Sequence, residues 1–429
     1  MSPACVRETN TTKAAGHPRW EPILPEPLLS AARSAILDVA AEFTRQWREP
    51  SNASLNGELA LLYAYLEMAE PGAEWRELSI QHLNLAAAQA SDSPPSGVAL
   101  FGGLSGLGWM IQHVCKALAG DEEEDPVADI DRILLRRLRA AHWTEPYDLV
   151  SGLAGLGVYF LERLPRPSAQ EGLELVLGHL EKCSEVSWGG ITWFTPPAHV
   201  PSRQIHQFPS GYYNLGVAHG VPGIVQFLGE VAAAGIQTAR ARRLLDGAVR
   251  WLLAQEGPPD VPWRYGWVFL PGMPRSSSRL AWCYGDLGIG AVLYQAGARM
   301  GRRDWQNEAL ALLDHSLAQT PENSGVKDPP LCHGALGAAH IYNRIAQSTQ
   351  WARYREAALY WYDQGLKLRQ APGIGGFFAW WPDPPKTLSD PSLLSGAIGS
   401  ALALVSAAYP VEPWWDRLLL LSGRDREGW

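Results

Sequence analysis

Two kinds of apolar pattern alternate along the 429-residue chain. In windows such as 241–255 and 303–318, apolar residues recur at intervals of three and four with charged residues between them, the mark of a helix that buries one stripe. Other windows carry no such polar face: 93–115, 205–228 and 391–411 contain no Asp, Glu, Lys or Arg. Each is interrupted by Gly, Ser, Asn, His or Pro, whose polar groups would lack partners in lipid. They read as buried helices of a soluble fold, with no integral membrane segment.

A short glycine phrase opens the buried stretches and recurs seven times. The copies are Asn56-Gly57-Glu58-Leu59-Ala60, Gly102-Gly103-Leu104-Ser105-Gly106, Ser151-Gly152-Leu153-Ala154-Gly155, His219-Gly220-Val221-Pro222-Gly223, Tyr284-Gly285-Asp286-Leu287-Gly288, His333-Gly334-Ala335-Leu336-Gly337 and Ser395-Gly396-Ala397-Ile398-Gly399. The first glycines stand 46 to 68 residues apart, and the shortest intervals hold one helical hairpin. Seven hairpins with uncharged inner helices predict an all-α fold, a closed α/α toroid, because an open solenoid would leave an apolar face uncovered at each end. Glycines at the inner-helix starts are expected where backbones converging on an axis leave no room for a Cβ.

Two long intervals hold something else. Residues 184–214 are rich in aromatic, β-branched, Pro and Gly residues and read as a small β-rich insertion, with a second β-like piece at 262–271. Residues 1–20 carry Arg7, Glu8, Lys13 and Arg19 with no apolar run, so they read as a disordered tail without an export signal. That leaves 21–429 as one toroidal domain interrupted by the insertion.

Composition narrows the function classes. Hydrophobic residues make up 46% of the chain and charged residues 19%, enough for a large core and too apolar for a disordered protein. A net charge of −8 supplies no footprint for a polyanion, which disfavours nucleic-acid binding. Five cysteines at irregular spacing do not make a disulfide framework and fit a reducing cytoplasm.

The register of the phrases gathers the chemistry. Counting back from the first glycine, the fourth repeat has His219 at −1, the fifth has Cys283 at −2, and the sixth has Cys332 at −2 and His333 at −1. Equivalent positions in neighbouring repeats lie at the same end of a toroid, so these side chains are expected to converge. Two thiolates and an imidazole suit one Zn²⁺ with a fourth tetrahedral position open. The alternative is that both cysteines are small buried hydrophobes. Cys5, Cys115 and Cys183 have no such company, and His113, His142, His179, His315 and His340 read as ordinary histidines.

Trp282-Cys283-Tyr284-Gly285, Cys332-His333-Gly334 and the run from Gly211 to Gly220 resemble the signature motifs of the bacterial LanC lanthionine cyclases, the nisin-cyclase type. The resemblance covers about residues 50–410. It implies an α/α toroid with a small β insertion, one Zn²⁺, and thioether-ring formation in lantibiotic biosynthesis. The implied substrate is a lanthipeptide precursor whose Ser and Thr have been dehydrated by a separate dehydratase; the implied setting is cytoplasmic, peripheral to a membrane synthetase and transporter complex. It assigns Cys283, Cys332 and His333 as zinc ligands and His219, Asp148, Arg279 and Tyr284 as residues lining the site.

Elementary chemistry makes those assignments intelligible. Zinc coordination converts a thiol of pKa near 8.5 to thiolate, and addition to an alkene leaves an enolate that needs a proton at its α-carbon, for which His219 is the expected acid; it is equally placed to take the thiol proton. Asp148 reads as the carboxylate orienting His219 or as a helix N-cap. Arg279 reads as a clamp on the enolate oxygen or as a solvated loop cation, and Tyr284 as a site residue or simple packing. Two other classes fit a zinc-bearing toroid: a protein prenyltransferase, which would need a basic diphosphate pocket that the sequence lacks, and a peptide-binding module with structural zinc.

Overall fold

The structure, a computed structural model, describes residues 20–423 apart from 48, 49, 51, 73, 94, 96, 120–124 and 383. Residues 1–19 of the expected tail lie outside the described residues. Trp20 is buried and donates its indole N–H to the Ser406 carbonyl at 2.6 Å.

Fourteen α-helices are present among the described residues. After α1 (Leu28–Gln46) come α2 (Ala53–Ala69) and α3 (Trp75–Asp92), α4 (Leu104–Ala119) and α5 (Ala128–Leu138), α6 (Leu153–Arg163) and α7 (Pro167–Cys183), α8 (Val221–Ala233) and α9 (Thr238–Leu253), α10 (Asp286–Met300) and α11 (Arg303–Ser316), α12 (Ala335–Thr349) and α13 (Ala352–Lys367), and finally α14 (Ala397–Ala408). The two sequence patterns separate by burial. In α8 every residue from Val221 to Ala232 is buried, whereas α9 buries a stripe that includes Leu244, Leu245, Ala248, Trp251 and Leu252. Each such leucine withdrawn from water contributes roughly 1.5–3 kcal/mol. The uncharged windows supply α4, α8 and α14, and no helix among the described residues is long and apolar enough to cross a membrane.

The chain divides into two compact units. One is built from the segments up to Ser96, Leu107–Ala128 and Lys327–Trp415, the other from Gly97–Gly106, Asp129–Val326 and Asp416 onward. In the first, α2 packs on α3 and α12 on α13, while α14 packs against α1, α2 and α12. The segment ahead of the first phrase therefore supplies α14 with its amphipathic partner, a role that the glycine register did not reveal. In the second unit the pairs are α6 with α7, α8 with α9 and α10 with α11, and α8 also packs on α6 and α10.

The phrase glycines answer to a contact other than axial crowding. A Cβ on the second glycine of the last six phrases would fall 1.7–2.4 Å from the carbonyl oxygen six residues earlier in the same chain, as with Gly106 on Leu100 and Gly337 on Leu331. Before α4, α6, α12 and α14 the loop folds back over the first turn, and its carbonyls accept opening N–H groups. Leu153, Ala154 and Gly155 donate to Pro146, Tyr147 and Asp148, and Ala335 and Leu336 donate to Asp328 and Pro329. Those N–H groups have no acceptor inside the helix. Backbone capping thus replaces the side-chain caps that α6, α12 and α14 lack. Gly285 needs glycine for a second reason, since its φ of +93° is left-handed. The first phrase departs from the rest: Asn52 caps α2 through a 3.1 Å bond from the Leu55 N–H, which leaves Gly57 within the helix rather than at its start.

The 184–214 insertion contains β1 (Glu185–Ser187), β2 (Gly190–Thr192), β3 (Phe194–Thr195) and β4 (Tyr212–Asn214). β1 and β2 form an antiparallel hairpin seated on α9, where Gly190 meets Trp251 and Ile191 meets Gly247. β4 pairs on one side with β3 and on the other with β5 (Val268–Phe269), the only strand in the 262–271 piece. A further hairpin, β6 (Ala379–Pro382) with β7 (Pro385–Leu388), was not expected. Its prolines at 382, 384 and 385 obscure a strand pattern.

Candidate functional site

The back-folded loops place the chemistry immediately before the helices. Cys283 precedes α10, and Cys332 and His333 precede α12. One ligand atom from each lies within 4.8 Å of the other two. Cys283 is buried, while Cys332 and His333 are half-buried. Backbone bonds hold both thiol-bearing residues: the Cys283 carbonyl accepts the Ala218 N–H at 3.5 Å, and the Cys332 N–H reaches the Leu394 carbonyl at 2.9 Å. Asp328 Oδ2, which accepts the Trp380 N–H at 2.8 Å, stands 3.9 Å from His333 Nε2. Two sulfurs and an imidazole nitrogen are the donors zinc prefers, and the separations of about 3.5–3.8 Å within a tetrahedral zinc shell are compatible with this spacing.

His219 stands just before α8, and its Nδ1 meets Asp148 Oδ2 at 2.8 Å. The other Asp148 oxygen accepts the Ser151 N–H at 2.6 Å, closing the turn that leads into α6. The N-cap of α6 is Gly152, so Asp148 is a turn residue ahead of the helix rather than its cap. Burial presses the His219 imidazole toward neutrality, but the hydrogen bond and charge of Asp148, with the charge of Cys283, outweigh it and raise the pKa above the ordinary value.

Tyr284 is half-buried, its hydroxyl accepting from Asn214 Nδ2 at 3.3 Å and its ring meeting Trp267 edge-to-face at 6.3 Å. Gly216 lies under the same ring, where a Cβ would come within 2.4 Å of it. Arg279 is exposed; its backbone carbonyl, not its guanidinium, is what presses on Gly285.

Sequence reasoning passed over Asn214 and Asp328. A signal was available, since both stand six residues before the first glycine of their repeats, the offset of Arg279 in the fifth. Asn214 Oδ1 accepts the Gly216 N–H at 2.8 Å and so shapes the loop as well as holding Tyr284.

Residues 57–420 match the family profile described as "Lanthionine synthetase C-like protein". The chain is 23% identical over 223 residues to "Nisin biosynthesis protein NisC" of Lactococcus lactis subsp. lactis, which covers 49% of this chain and 52% of that protein, so the match spans about half the length of the curated relative. Its fold is similar to that of the solved "Nisin cyclase", with a TM-score of 0.74 at 18% identity over 91% of this chain and 98% of that one.

Proposed function

The chain belongs to the lanthionine synthetase C-like family, and from that premise we propose that it is a zinc-dependent lanthionine cyclase. It adds cysteine thiolates of a dehydrated lanthipeptide precursor to dehydroalanine or dehydrobutyrine residues of the same peptide. The observation that carries the reading is the meeting of Cys283, Cys332 and His333, whose ligand atoms lie within 4.8 Å of one another. The likeness to nisin cyclase and the pairing of α14 with α1 support a closed ring of seven hairpins.

Cys283, Cys332 and His333 would hold the Zn²⁺, which when bound makes a substrate thiol a thiolate at neutral pH. The remaining steps fall to the chain's own groups. With Nδ1 engaged by Asp148, His219 presents Nε2 as its exchangeable position. As the sulfur bonds to the β-carbon and the alkene π bond opens, the α-carbon takes a proton from His219 Nε2. Asp148 keeps the imidazole oriented and favours the protonated form that can give that proton. Arg279, which is exposed, would meet the substrate carbonyl as negative charge develops there, and Tyr284 would hold the loop beside Cys283. Dehydration of the precursor and export of the product would belong to a separate dehydratase and transporter in the cytoplasm and at the membrane.

Zinc content and ring closure on a dehydrated precursor, measured for Cys283→Ala and His219→Asn, test this. Cys283→Ala should lose metal and activity together, whereas His219→Asn should keep metal and close rings slowly. Full zinc occupancy in Cys283→Ala would overturn the site.

A further inference from the structure

We propose that Glu58 is a positioning residue for Cys332, acting through the loop at 390–395. The proposal rests on the reading of Cys332 as a metal ligand.

Glu58 lies in α2, the helix of the first phrase, and its Oε2 accepts the Leu393 N–H at 2.9 Å. The next residue of that loop, Leu394, offers its carbonyl to the Cys332 N–H at 2.9 Å. Two hydrogen bonds in series, one from a backbone N–H to the carboxylate and one between backbones, therefore join Glu58 to the backbone of the ligand. The loop between them has little freedom. Asp390 Oδ1 accepts the Ser392 N–H at 2.8 Å, the Asp390 carbonyl accepts the Ala397 N–H at 2.9 Å, and Leu393 is 1% exposed. Leu331, the residue before Cys332, also presses on this repeat: a Cβ on Gly399 would come within 2.6 Å of its Cδ1.

The choice of residue points the same way. The position after the first glycine is Leu104, Leu153, Val221, Ala335 and Ala397 in five phrases and acidic only as Glu58 and Asp286. Asp286 also takes backbone N–H groups, those of Arg264 at 3.1 Å and Tyr265 at 2.9 Å, and so pins the loop that brings Trp267 to Tyr284. Each acid thus fixes a loop that bears on one thiol-bearing segment. Burial pushes the Glu58 carboxyl up to about 7; the Leu393 N–H opposes this, and Asp390, the charged group facing it, adds to it. Keeping an acid in so unfavourable a place is costly unless its acceptor oxygens serve a purpose.

The test reads Cys332 with and without metal. In metal-free protein, iodoacetamide alkylation of Cys332, mapped by mass spectrometry against Cys283 as internal reference, should accelerate in Glu58→Ala. It should return to the wild-type ratio in Glu58→Gln, whose amide oxygen still accepts the Leu393 N–H. In zinc-loaded protein, affinity from competition with a chromophoric chelator should fall roughly tenfold in Glu58→Ala, the scale of loss when a group orienting a ligand is removed, and stay near wild type in Glu58→Gln. An unchanged Cys332 rate in Glu58→Ala, or equal acceleration at both cysteines, overturns the proposal. Where Glu58→Ala does not fold, a shifted alkylation ratio in Glu58→Gln overturns it instead. Wild-type protein that binds no zinc overturns the metal reading alone, because the alkylation ratio still decides on Glu58.

Discussion

His219 and Asp148, 71 residues apart in the chain, meet at 2.8 Å between Nδ1 and Oδ2. The same carboxylate closes the turn before α6 through Ser151, so one side chain sets both the entry to a helix and the orientation of an imidazole. Carboxylates that act on two partners at once are rigid, and rigidity is what an acid–base group needs from its support.

Replacing Asp148 by Asn keeps the shape and removes the charge. Burial then acts on His219 with less opposition, and the imidazole pKa should fall from its raised value, which an NMR titration of the His219 ring protons would follow. The linkage has a definite sign. A raised histidine pKa adds stability that is complete below the unfolded value near 6.5 and fades as pH rises through the folded value. Asp148→Asn should therefore destabilise more at pH 5.5 than at pH 8.5, by about 1 kcal/mol or less, because the His219 side chain is 43% exposed and solvent screens the pair. An unmoved pKa would show that Asp148 does not govern the imidazole.

Much of this was legible in the sequence because repetition converts spacing into geometry. Cys283, Cys332 and His333 share a register, and the structure brings their ligand atoms together. The cause of the glycines was not legible, since a carbonyl six residues back in the same chain leaves no pattern distinct from crowding between neighbours. Nor was the partner of α14: α1 lies before the first phrase and has no glycine mark of its own, only the buried stripe that includes Ala32, Ile36, Val39 and Phe43. Glu58 escaped notice because its partner, a backbone N–H of Leu393, is 335 residues away and carries no side-chain signal.

The steric reading of the glycines separates two alanine substitutions. In Gly337→Ala the new Cβ would sit 1.9 Å from the Leu331 carbonyl, so the capping loop must move, at a cost of about 1–3 kcal/mol or more. In Gly178→Ala, inside α7, the nearest atom is a flexible Arg240 nitrogen at 3.9 Å, and the gain in helix propensity should stabilise by roughly 0.5–1 kcal/mol. Denaturant melts of the two variants should move in opposite directions. A neutral Gly337→Ala would remove the loop-capping account.

Asp286 makes a separate prediction about the loop at 261–269. It accepts from the Arg264 and Tyr265 N–H groups and from His315 Nδ1 at 2.9 Å. Asp286→Ala leaves two backbone donors without their acceptor, at about 1–3 kcal/mol each. Hydrogen exchange across 261–269 should accelerate by roughly tenfold or more, with Trp267 emission changing as its contact with Tyr284 loosens. Exchange confined to the start of α10 would place the anchor elsewhere.

Glu58 ties stability to pH in a direction opposite to most carboxylates. Its folded pKa of about 7 lies above the ordinary carboxyl value of 4.5, because burial penalises the charged form. The folded protein thus holds this proton to higher pH than the unfolded chain does. Its contribution is complete below pH 4.5 and is lost as pH rises through 7. Glu58→Gln carries no charge at any pH and keeps an acceptor for Leu393. Its stability relative to wild type should therefore improve steadily between pH 5 and pH 8, as read from paired denaturant titrations. A difference that stays flat across that range would mean that the Glu58 carboxyl titrates normally in the folded protein.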